Sequence, residues 1–207
     1  MAIELIALAF WQSAATSAES CTALANVAPP RSGELFLYAT DINGEDMGMV
    51  MGVQIVTSTG LATSFRQGAG LTADSIEMSN GTPVRSYAGA AFPRSAGSGN
   101  RRREWSYSPS PDEVLARLGP GETEEIFISE RSAGAGERYT ATLAFDRCDT
   151  LDVDGDPVPA NVYSIAREID RETEVREIWL SSETGWWLME HQPAQSMTTR
   201  LIGMGGE

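Results

Sequence analysis

Short segments of alternating apolar and polar residues dominate the chain from residue 33 onward. Successive side chains of a β-strand point to opposite faces of a sheet, so a period of two is typical of strands that bury one face. The segment GELFLYATD, the turn signal Asn43-Gly44 and the segment MGMVMGVQIV predict a hairpin. Roughly ten to twelve such segments predict a mainly β domain, either a curved antiparallel sheet or a half-open barrel.

One short helix is predicted at about residues 111–118. Ser110 is a suitable N-cap, Pro111 occupies the first helical position, and Glu113 is the acidic partner of a capping box. Gly119-Pro120 ends the helix. A single brief helix does not supply the crossovers that a parallel sheet requires, which favours an antiparallel sheet.

The charge balance excludes several kinds of partner. The chain has 29 acidic and 15 basic residues, every basic residue is Arg, and the net charge is −14. This field repels phosphate backbones and anionic lipid headgroups, which argues against nucleic-acid binding and against docking on acidic membranes. The acidity also promotes solubility, or attracts a cationic partner. The absence of Lys excludes Schiff-base chemistry at a lysine.

Residues 1–20 are predicted to be a signal peptide or an N-terminal extension, followed by a single antiparallel β domain at residues 21–207. An apolar run from Ile3 to Trp11 precedes small residues, as in a secretory leader, although Glu4 stands where a positive charge is usual. The run is too short to cross a bilayer, so no transmembrane segment is predicted. The alternative is an N-terminal helix or strand of the fold. We expect export to the bacterial cell envelope, in the periplasm.

The two cysteines, Cys21 and Cys148, allow one disulfide, which an oxidising periplasm permits. The bond would close a long loop and contribute up to about 4–5 kcal/mol in the chain-entropy model. Two separate buried thiols are the alternative, because the sequence does not show the separation of the two residues.

No catalytic constellation is recognisable. His191 is the only histidine, and no G-x-S-x-G segment marks a serine hydrolase. Asp152, Asp154 and Asp156 have the spacing of a calcium loop, but Pro157 replaces the glycine that such a loop requires, so a hairpin turn explains them better. The sequence therefore predicts a protein that is not an enzyme and that uses neither a metal nor a cofactor. An unrecognised hydrolase is the alternative, because a catalytic pair of carboxylates leaves no local sequence signature.

Two groups of residues are candidates for an apolar ligand site. Alternation places three methionines on one strand face, where they suit adaptable contacts with lipid or peptide, or simply a core. Trp186 and Trp187 are adjacent in sequence, so one is expected in the core and the other toward solvent, a ligand or a partner. A cross-strand aromatic pair that stabilises the sheet is the alternative. The candidates are Met47, Met49, Met51, Trp179, Trp186 and Trp187.

Residues 110–192 resemble a family of exported proteobacterial β-rich proteins of unknown function, similar to the LolA/LolB-like half-barrel of lipoprotein carriers. The resemblance rests on a helix that ends at Pro120-Gly121, on the turn VDGDPVPA at residues 153–160, and on the strand IWLS at residues 178–181. The sequence departs from the family at Gly185-Trp186-Trp187. The resemblance implies a periplasmic location and a curved sheet wrapped over a helix or a ligand, and it carries over no catalytic residue.

Two hypotheses for function follow. The first is a non-catalytic envelope protein that binds a lipid or another apolar ligand on a curved sheet. The second is a structural or assembly factor of the envelope that acts through protein–protein contacts.

Overall fold

The computed structural model describes residues 23–24, 33–57, 60–67, 74–77, 92, 95–96, 103–132, 135–169 and 172–205. For residues 49–57, 60–67, 74–77, 95–96 and 169 it describes the backbone alone. Twelve strands, one short α-helix and one 3₁₀ turn, Pro193–Gln195, occur in this part of the chain. They are β1 Leu35–Ile42, β2 Glu45–Thr57, β3 Gly60–Gln67, β4 Asp74–Glu77, β5 Ser95–Ala96, β6 Arg103–Ser108, α1 Pro111–Leu115, β7 Thr123–Ser132, β8 Ala135–Val153, β9 Asp156–Ile169, β10 Glu172–Ser181, β11 Trp187–Gln192 and β12 Met197–Gly205.

The strands form one antiparallel sheet that curves round on itself. Each strand pairs with its neighbours in chain order, and β1 also pairs with β12, so the strand order is a ring. The join is narrow at β4 and β5, which share the single residue pair Glu77 and Ser95. The prediction of a mainly β fold, with a curved antiparallel sheet or half-open barrel of ten to twelve strands and one short helix, is confirmed.

Two predicted hairpin turns are present. Asn43-Gly44 joins β1 to β2 and Asp154-Gly155 joins β8 to β9, and all four residues have positive φ, as type I′ turns require. In each turn the glycine N–H donates to a carboxylate three residues earlier, that of Asp41 or of Asp152, at 2.9 Å. The acidic residues of the second turn therefore shape a hairpin, as predicted. The sequence also contains the hairpin signal Asn80-Gly81, which predicts a further turn and lies outside the described residues.

The helix is shorter than predicted. It spans Pro111–Leu115, and Leu118 N donates to Val114 O at 2.9 Å, so one further helical hydrogen bond continues the turn. Ser110 has the extended backbone of an N-cap, but its side chain makes no capping hydrogen bond within the described part of the chain. The predicted capping box is therefore wrong on the serine side, and backbone bonds to Ser110 O begin the helix instead.

The helix packs against one face of β7 to β10. Val114 and Leu115 are fully buried there. Completely burying a leucine or valine side chain contributes about 1.5–3 kcal/mol, so this contact fixes the short helix in place. We call the resulting apolar group the helix cluster; its buried members are Leu24, Phe92, Val114, Leu115, Leu118, Ile126, Ile128, Ala141, Leu143, Phe145, Tyr163, Ile165, Ile178 and Leu180.

A second apolar group, the tryptophan cluster, covers the other face of β10. Ile178 and Leu180 belong to the helix cluster, whereas Trp179 between them belongs to the tryptophan cluster. Because neighbouring side chains of a strand point to opposite faces, the two clusters lie on opposite sides of the sheet here. The buried members of the tryptophan cluster are Phe36, Tyr38, Val153, Ala160, Val162, Trp179, Trp186, Leu188 and Leu201.

Aromatic residues join β1 to the start of β11. The rings of Phe36 and Trp186 stack with centroids 3.8 Å apart. Trp186 Nε1 donates to the Tyr38 hydroxyl at 2.5 Å, and that hydroxyl donates to the Trp187 carbonyl at 3.1 Å. Burial raises the pKa of Tyr38 well above its usual value, so the hydroxyl stays neutral and can donate.

Replacing Tyr38 by Phe is expected to lower the free energy of unfolding by about 1–3 kcal/mol, because the Trp186 indole N–H and the Trp187 carbonyl lose the hydroxyl in a dry interior. Urea denaturation followed by tryptophan fluorescence measures the change. The matched control is Tyr139→Phe, at a partly exposed ring, for which we expect a smaller loss. Equal losses in the two variants would contradict the assigned role of the Tyr38 hydroxyl.

Stability is also expected to fall at alkaline pH through Tyr163. Burial raises the pKa of this fully buried tyrosine from 10.0 to about 12, against the opposing effect of a hydrogen bond from Asn161. The raised pKa contributes stability that is complete below pH 10 and is lost as the pH rises toward 12, because the unfolded chain releases the proton first. The loss is about 2–3 kcal/mol. Urea midpoints between pH 9 and pH 12 test this, and Tyr163→Phe should make the decline shallower.

Candidate functional site

Trp179 and Trp186, two of the predicted ligand residues, are core residues. They are 4% and 2% exposed, respectively. Trp179 Nε1 donates to Asp149 Oδ2 at 3.0 Å, and the guanidinium of Arg147 lies 5.6 Å from the indole centroid. Arg147 and Asp149 both lie on β8. A bulge between Phe145 and Arg147 shifts the register of this strand and turns both side chains toward Trp179. Both tryptophans are therefore covered by the protein's own side chains.

Trp187 differs from its neighbour Trp186, since it is only partly buried. Its ring stacks on Tyr38 at 4.8 Å and packs against both apolar clusters. Its buried Nε1 has no hydrogen-bond partner among the described residues. The tryptophans therefore form a cross-strand aromatic group, as the alternative prediction had it, and a role for any of them in binding a ligand stays a prediction.

The predicted methionine row is interrupted. Gly48 has a φ of +93°, and the pairing with β1 contains one extra residue at this point, because Asp46 pairs with Asp41 and Met49 pairs with Ala39. The bulge changes the phase of the alternation, so Asp46 rather than Met47 lies on the same face as Met49. The backbone register therefore places Met47 out of phase with Met49 and Met51, and a role of the three methionines in binding a ligand stays a prediction.

Two exposed leucines of β1 pair with this part of β2. Leu37, whose side chain is 40% exposed, pairs with Met51, and Leu35, which is 38% exposed, pairs with Val53. Met47 itself is 51% exposed. Leu35, Leu37 and Met47 therefore lie at the surface rather than on the floor of a cavity.

A pocket of about 180 Å³ opens where the helix cluster meets solvent, and we call it the rim pocket. Strand pairing explains how it forms: Ala141 pairs with Arg167, which pairs with Glu174, and Ile165 pairs with Arg176, so all these side chains lie on the helix-cluster face. The pocket has an apolar floor and a polar edge. Its lining residues are Ile128, Tyr139, Ala141, Ile165, Arg167, Glu174, Arg176, Gln192 and Gln195.

One side of the rim carries an arginine that contacts two other side chains. Arg167 forms an ion pair with Glu174 at 2.5 Å, and its guanidinium lies 5.4 Å from the centroid of the Tyr139 ring. Burial raises the pKa of Tyr139, so this hydroxyl is neutral at physiological pH. The Tyr139 hydroxyl is therefore a neutral hydrogen-bond donor beside Arg167, whose charge is balanced by Glu174.

The other side of the rim holds a buried carboxylate. Glu190 is 7% exposed, and its Oε1 lies 3.6 Å from Arg176 Nη1 and accepts a hydrogen bond from Gln192 Nε2 at 2.5 Å. A buried charge is tolerated only when it is paired and hydrogen-bonded, which these contacts achieve. The rim therefore offers both signs of charge and several donors and acceptors, with no excess of either charge.

The described residues contain no group of three or more metal-ligating side chains. His191, the single histidine, places Nδ1 3.0 Å from Thr198 Oγ1 across the β11–β12 pair, which is a structural contact. No helix in the described ranges is long and apolar enough to cross a membrane.

Cys148 is disulfide-bonded. Cys21 is the other cysteine of the chain and lies outside the described residues, so its pairing with Cys148 stays a prediction.

Sequence reasoning missed the rim pocket. Its charged residues come from different strands, and the sequence around each of them is typical of a solvent-exposed strand position. The available signal is the alternation in β9, where Tyr163 and Ile165 on the buried face are followed by Arg167 on the same face.

Comparisons with known proteins show the fold of this chain. No protein-family model matches the chain, and no curated protein matches it. A hypothetical lipoprotein, YmcC, from Escherichia coli K12 has a TM-score of 0.51 and 13% identity, over 86% of this chain and 90% of that chain. The likeness shows a shared fold.

Two further solved structures are less similar. A protein named as exported, with a YmcC-like fold, from Bacteroides fragilis has a TM-score of 0.46 and 11% identity, over 87% of this chain and 99% of its own. A protein named as a lipoprotein, from Parabacteroides distasonis, has a TM-score of 0.45 and 10% identity, over 90% of this chain and 100% of its own. The LolA/LolB-like resemblance stays a prediction.

Proposed function

We propose that this chain is an exported, non-catalytic protein of the bacterial cell envelope that binds the apolar end of a small amphiphilic molecule in the rim pocket. The observation that carries the proposal is the combination of an apolar floor, formed by residues such as Ala141 and Ile165, with a charged and hydrogen-bonding rim. An amphiphile has the same division between its two ends.

The volume of the pocket limits what it can hold. A cavity of about 150 Å³ lined by apolar side chains accommodates benzene, so the 180 Å³ rim pocket suits a group of about six carbon atoms. Pockets for complete drug-sized ligands are larger, at roughly 300–1,000 Å³. The helix cluster occupies the space that a longer chain would need, because Val114 and Leu115 fill the same face of the sheet. The ligand is therefore a short chain or the end of a longer one.

The rim favours a polar head that both donates and accepts hydrogen bonds. Arg167 and Arg176 are already paired with Glu174 and Glu190, so a simple anion would have to compete with carboxylates that are in place. A zwitterionic head carries one positive and one negative group. It can therefore contact both the arginine and the carboxylate of an ion pair without separating them. This arrangement contributes to orientation and specificity more than to affinity.

Three features support export. The disulfide at Cys148 is typical of an oxidising compartment outside the cytoplasm. The apolar run from Ile3 to Trp11 is similar to part of a secretory leader. The fold is shared with a chain that is named a hypothetical lipoprotein.

A structural or assembly role in the envelope is the second candidate, and one observation favours it. Leu35 and Leu37 expose apolar side chains on the outer face of β1, beside Gly203 and Gly205 of β12, which leave that face flat. Contiguous exposed apolar surface is typical of protein contacts. A function of this kind would be unaffected by changes in the rim pocket.

Covering the pocket should abolish ligand binding. Gln195→Trp places a large ring at the rim from an exposed turn residue, so folding should be unaffected. Alkyl phosphocholines of increasing chain length are suitable zwitterionic probes, measured by calorimetry below their micellar concentrations. With the native chain, affinity should rise about fourfold per methylene up to roughly six carbons and then level off. Gln195→Trp should weaken binding at least about tenfold.

The matched control for this experiment is Ala194→Trp, which adds the same ring at the neighbouring exposed position of the turn, outside the pocket lining. Equal loss in both variants, or affinity that keeps rising with chain length, would contradict binding in the rim pocket.

The disulfide is expected to be intramolecular and to join Cys21 to Cys148. Cys148→Ser, or reduction of the native protein, should lower the free energy of unfolding by up to about 4 kcal/mol, because the closed loop is long. Peptide mapping without reductant identifies the bonded pair, and urea denaturation measures the loss. Thr150→Ser, at an exposed position of the same strand, is a neutral control. A disulfide-linked dimer would contradict this pairing.

A further inference from the structure

Glu190 makes few contacts for a charged group that is almost fully buried. The residue is 7% exposed, and within the described part of the chain its carboxylate accepts one hydrogen bond, from Gln192 Nε2 to Oε1 at 2.5 Å. Arg176 Nη1 lies 3.6 Å from the same oxygen, which is longer than the roughly 2.7–2.9 Å of a charge-assisted hydrogen bond. Both of these contacts are therefore made by Oε1.

The second oxygen of this carboxylate, Glu190 Oε2, has no hydrogen-bond partner among the residues that the structure describes. An ionised carboxylate can accept about four hydrogen bonds, two at each oxygen. A charge that is removed from water loses its hydration, so buried carboxylates usually use most of this capacity. Glu190 therefore keeps acceptor capacity that the described side chains do not use.

Strand pairing places Glu190 at the edge of the rim pocket. Gln192 lies two residues further along β11 and so on the same face of the sheet, and it lines the pocket together with Arg176. Ile178 pairs with Glu190, and Arg176 comes two residues before Ile178, so the arginine and the carboxylate are diagonal neighbours. Glu190 is therefore in contact with two side chains of the pocket wall.

Two threonine hydroxyls lie in the same row as Glu190. Thr199 pairs with Glu190 across β11 and β12, and Thr40 pairs with Thr199 across β1 and β12, so the three side chains share one face. The two hydroxyl oxygens are 3.1 Å apart. Directly opposed residues have Cβ atoms about 4.5–5.5 Å apart, so a group bound to the carboxylate can also reach Thr199. The row supplies one negative charge and two neutral oxygens.

We propose that the ligand carries a primary ammonium group, which donates to Glu190 Oε2 and to the Thr199 hydroxyl while an adjacent anionic group contacts Arg176. The ammonium belongs to the head of the amphiphile in the proposed function, on which this assignment rests. A primary ammonium has three N–H donors and no acceptor, which matches a row of oxygen acceptors. Its positive charge balances a carboxylate that Arg176 approaches only at 3.6 Å.

Other cations fit this row less well. A quaternary ammonium has no N–H to donate, and proteins bind such groups on the faces of aromatic rings. Tyr139 is the aromatic residue that lines the rim pocket, and the Arg167 guanidinium already lies 5.4 Å from its ring centroid. Ca²⁺ and Mg²⁺ take about six to eight oxygen ligands, and the described residues contain no group of three or more metal-ligating side chains.

Calorimetry on the full chain, with hexyl phosphoethanolamine and its N-methylated forms up to hexyl phosphocholine, tests the ammonium site. The hexyl group and the phosphate are the same in every probe, so the number of N–H donors is what changes. Affinity should fall by at least about tenfold from the primary to the quaternary ammonium, because hydrogen bonds to a charged group are lost. Equal affinities, as expected if only water binds at Oε2, would overturn the proposal.

Two variants test whether the preference comes from the row of Glu190. Glu190→Gln keeps the shape of the side chain and removes its charge, so it should weaken binding of hexyl phosphoethanolamine at least about tenfold and change hexyl phosphocholine little. Thr199→Val should weaken hexyl phosphoethanolamine several-fold. Glu177→Gln is the matched control, because this carboxylate lies on the other face of β10 and pairs with Arg147. An unchanged preference in Glu190→Gln and Thr199→Val would overturn the proposal.

Gln195→Trp separates the ammonium site from the rim pocket. If this variant weakens binding of every probe while the native chain binds the ethanolamine and choline forms equally, the rim pocket is supported and the ammonium site is overturned. If no probe binds the native chain at millimolar concentrations, both proposals are overturned. Urea denaturation of each variant shows whether a loss of binding reflects a loss of folding.

Discussion

Burial of both faces of one strand is the constraint on which this structure depends. At the end of β10, Ile178, Trp179 and Leu180 follow one another and all are buried. Since consecutive side chains point in opposite directions, such a strand needs an apolar cover on each side. Helix α1 contributes the cover on one side, and the aromatic residues of β1 and the β10–β11 connection contribute it on the other. A curved sheet with one face open to solvent would expose either Trp179 or the two residues Ile178 and Leu180 to water.

The helix therefore belongs to the core rather than to a movable lid. It has only five residues, too few for an isolated helix to be stable in water, so packing rather than helical propensity holds it. The helix cluster fills most of the sheet face that a carrier of long lipids would leave open. What remains is the small rim pocket at the edge of that cluster, where the apolar residues of β8 and β9 are followed by Arg167 and Arg176.

Much of the fold could be predicted from the sequence, because alternation and two-residue turns are local signals. Asn43-Gly44 and Asp154-Gly155 specify their turns through backbone conformation alone. The interruption of the methionine row could not be predicted, because it comes from a bulge at Gly48 and bulges have no reliable sequence signature. The rim pocket could not be predicted either, since it depends on register between strands that are distant in sequence.

The pairing of β1 with β12 has a consequence for biogenesis. β1, the first strand of the described structure, pairs on one side with β12, the last strand. A large part of the chain therefore separates residues that must pair. Bringing such distant segments together is slow, because loop entropy is lost before the contacts form. Until its C-terminal strand has been synthesised, the chain therefore keeps β1 as an unpaired edge strand, and proteins in this state aggregate or require a chaperone.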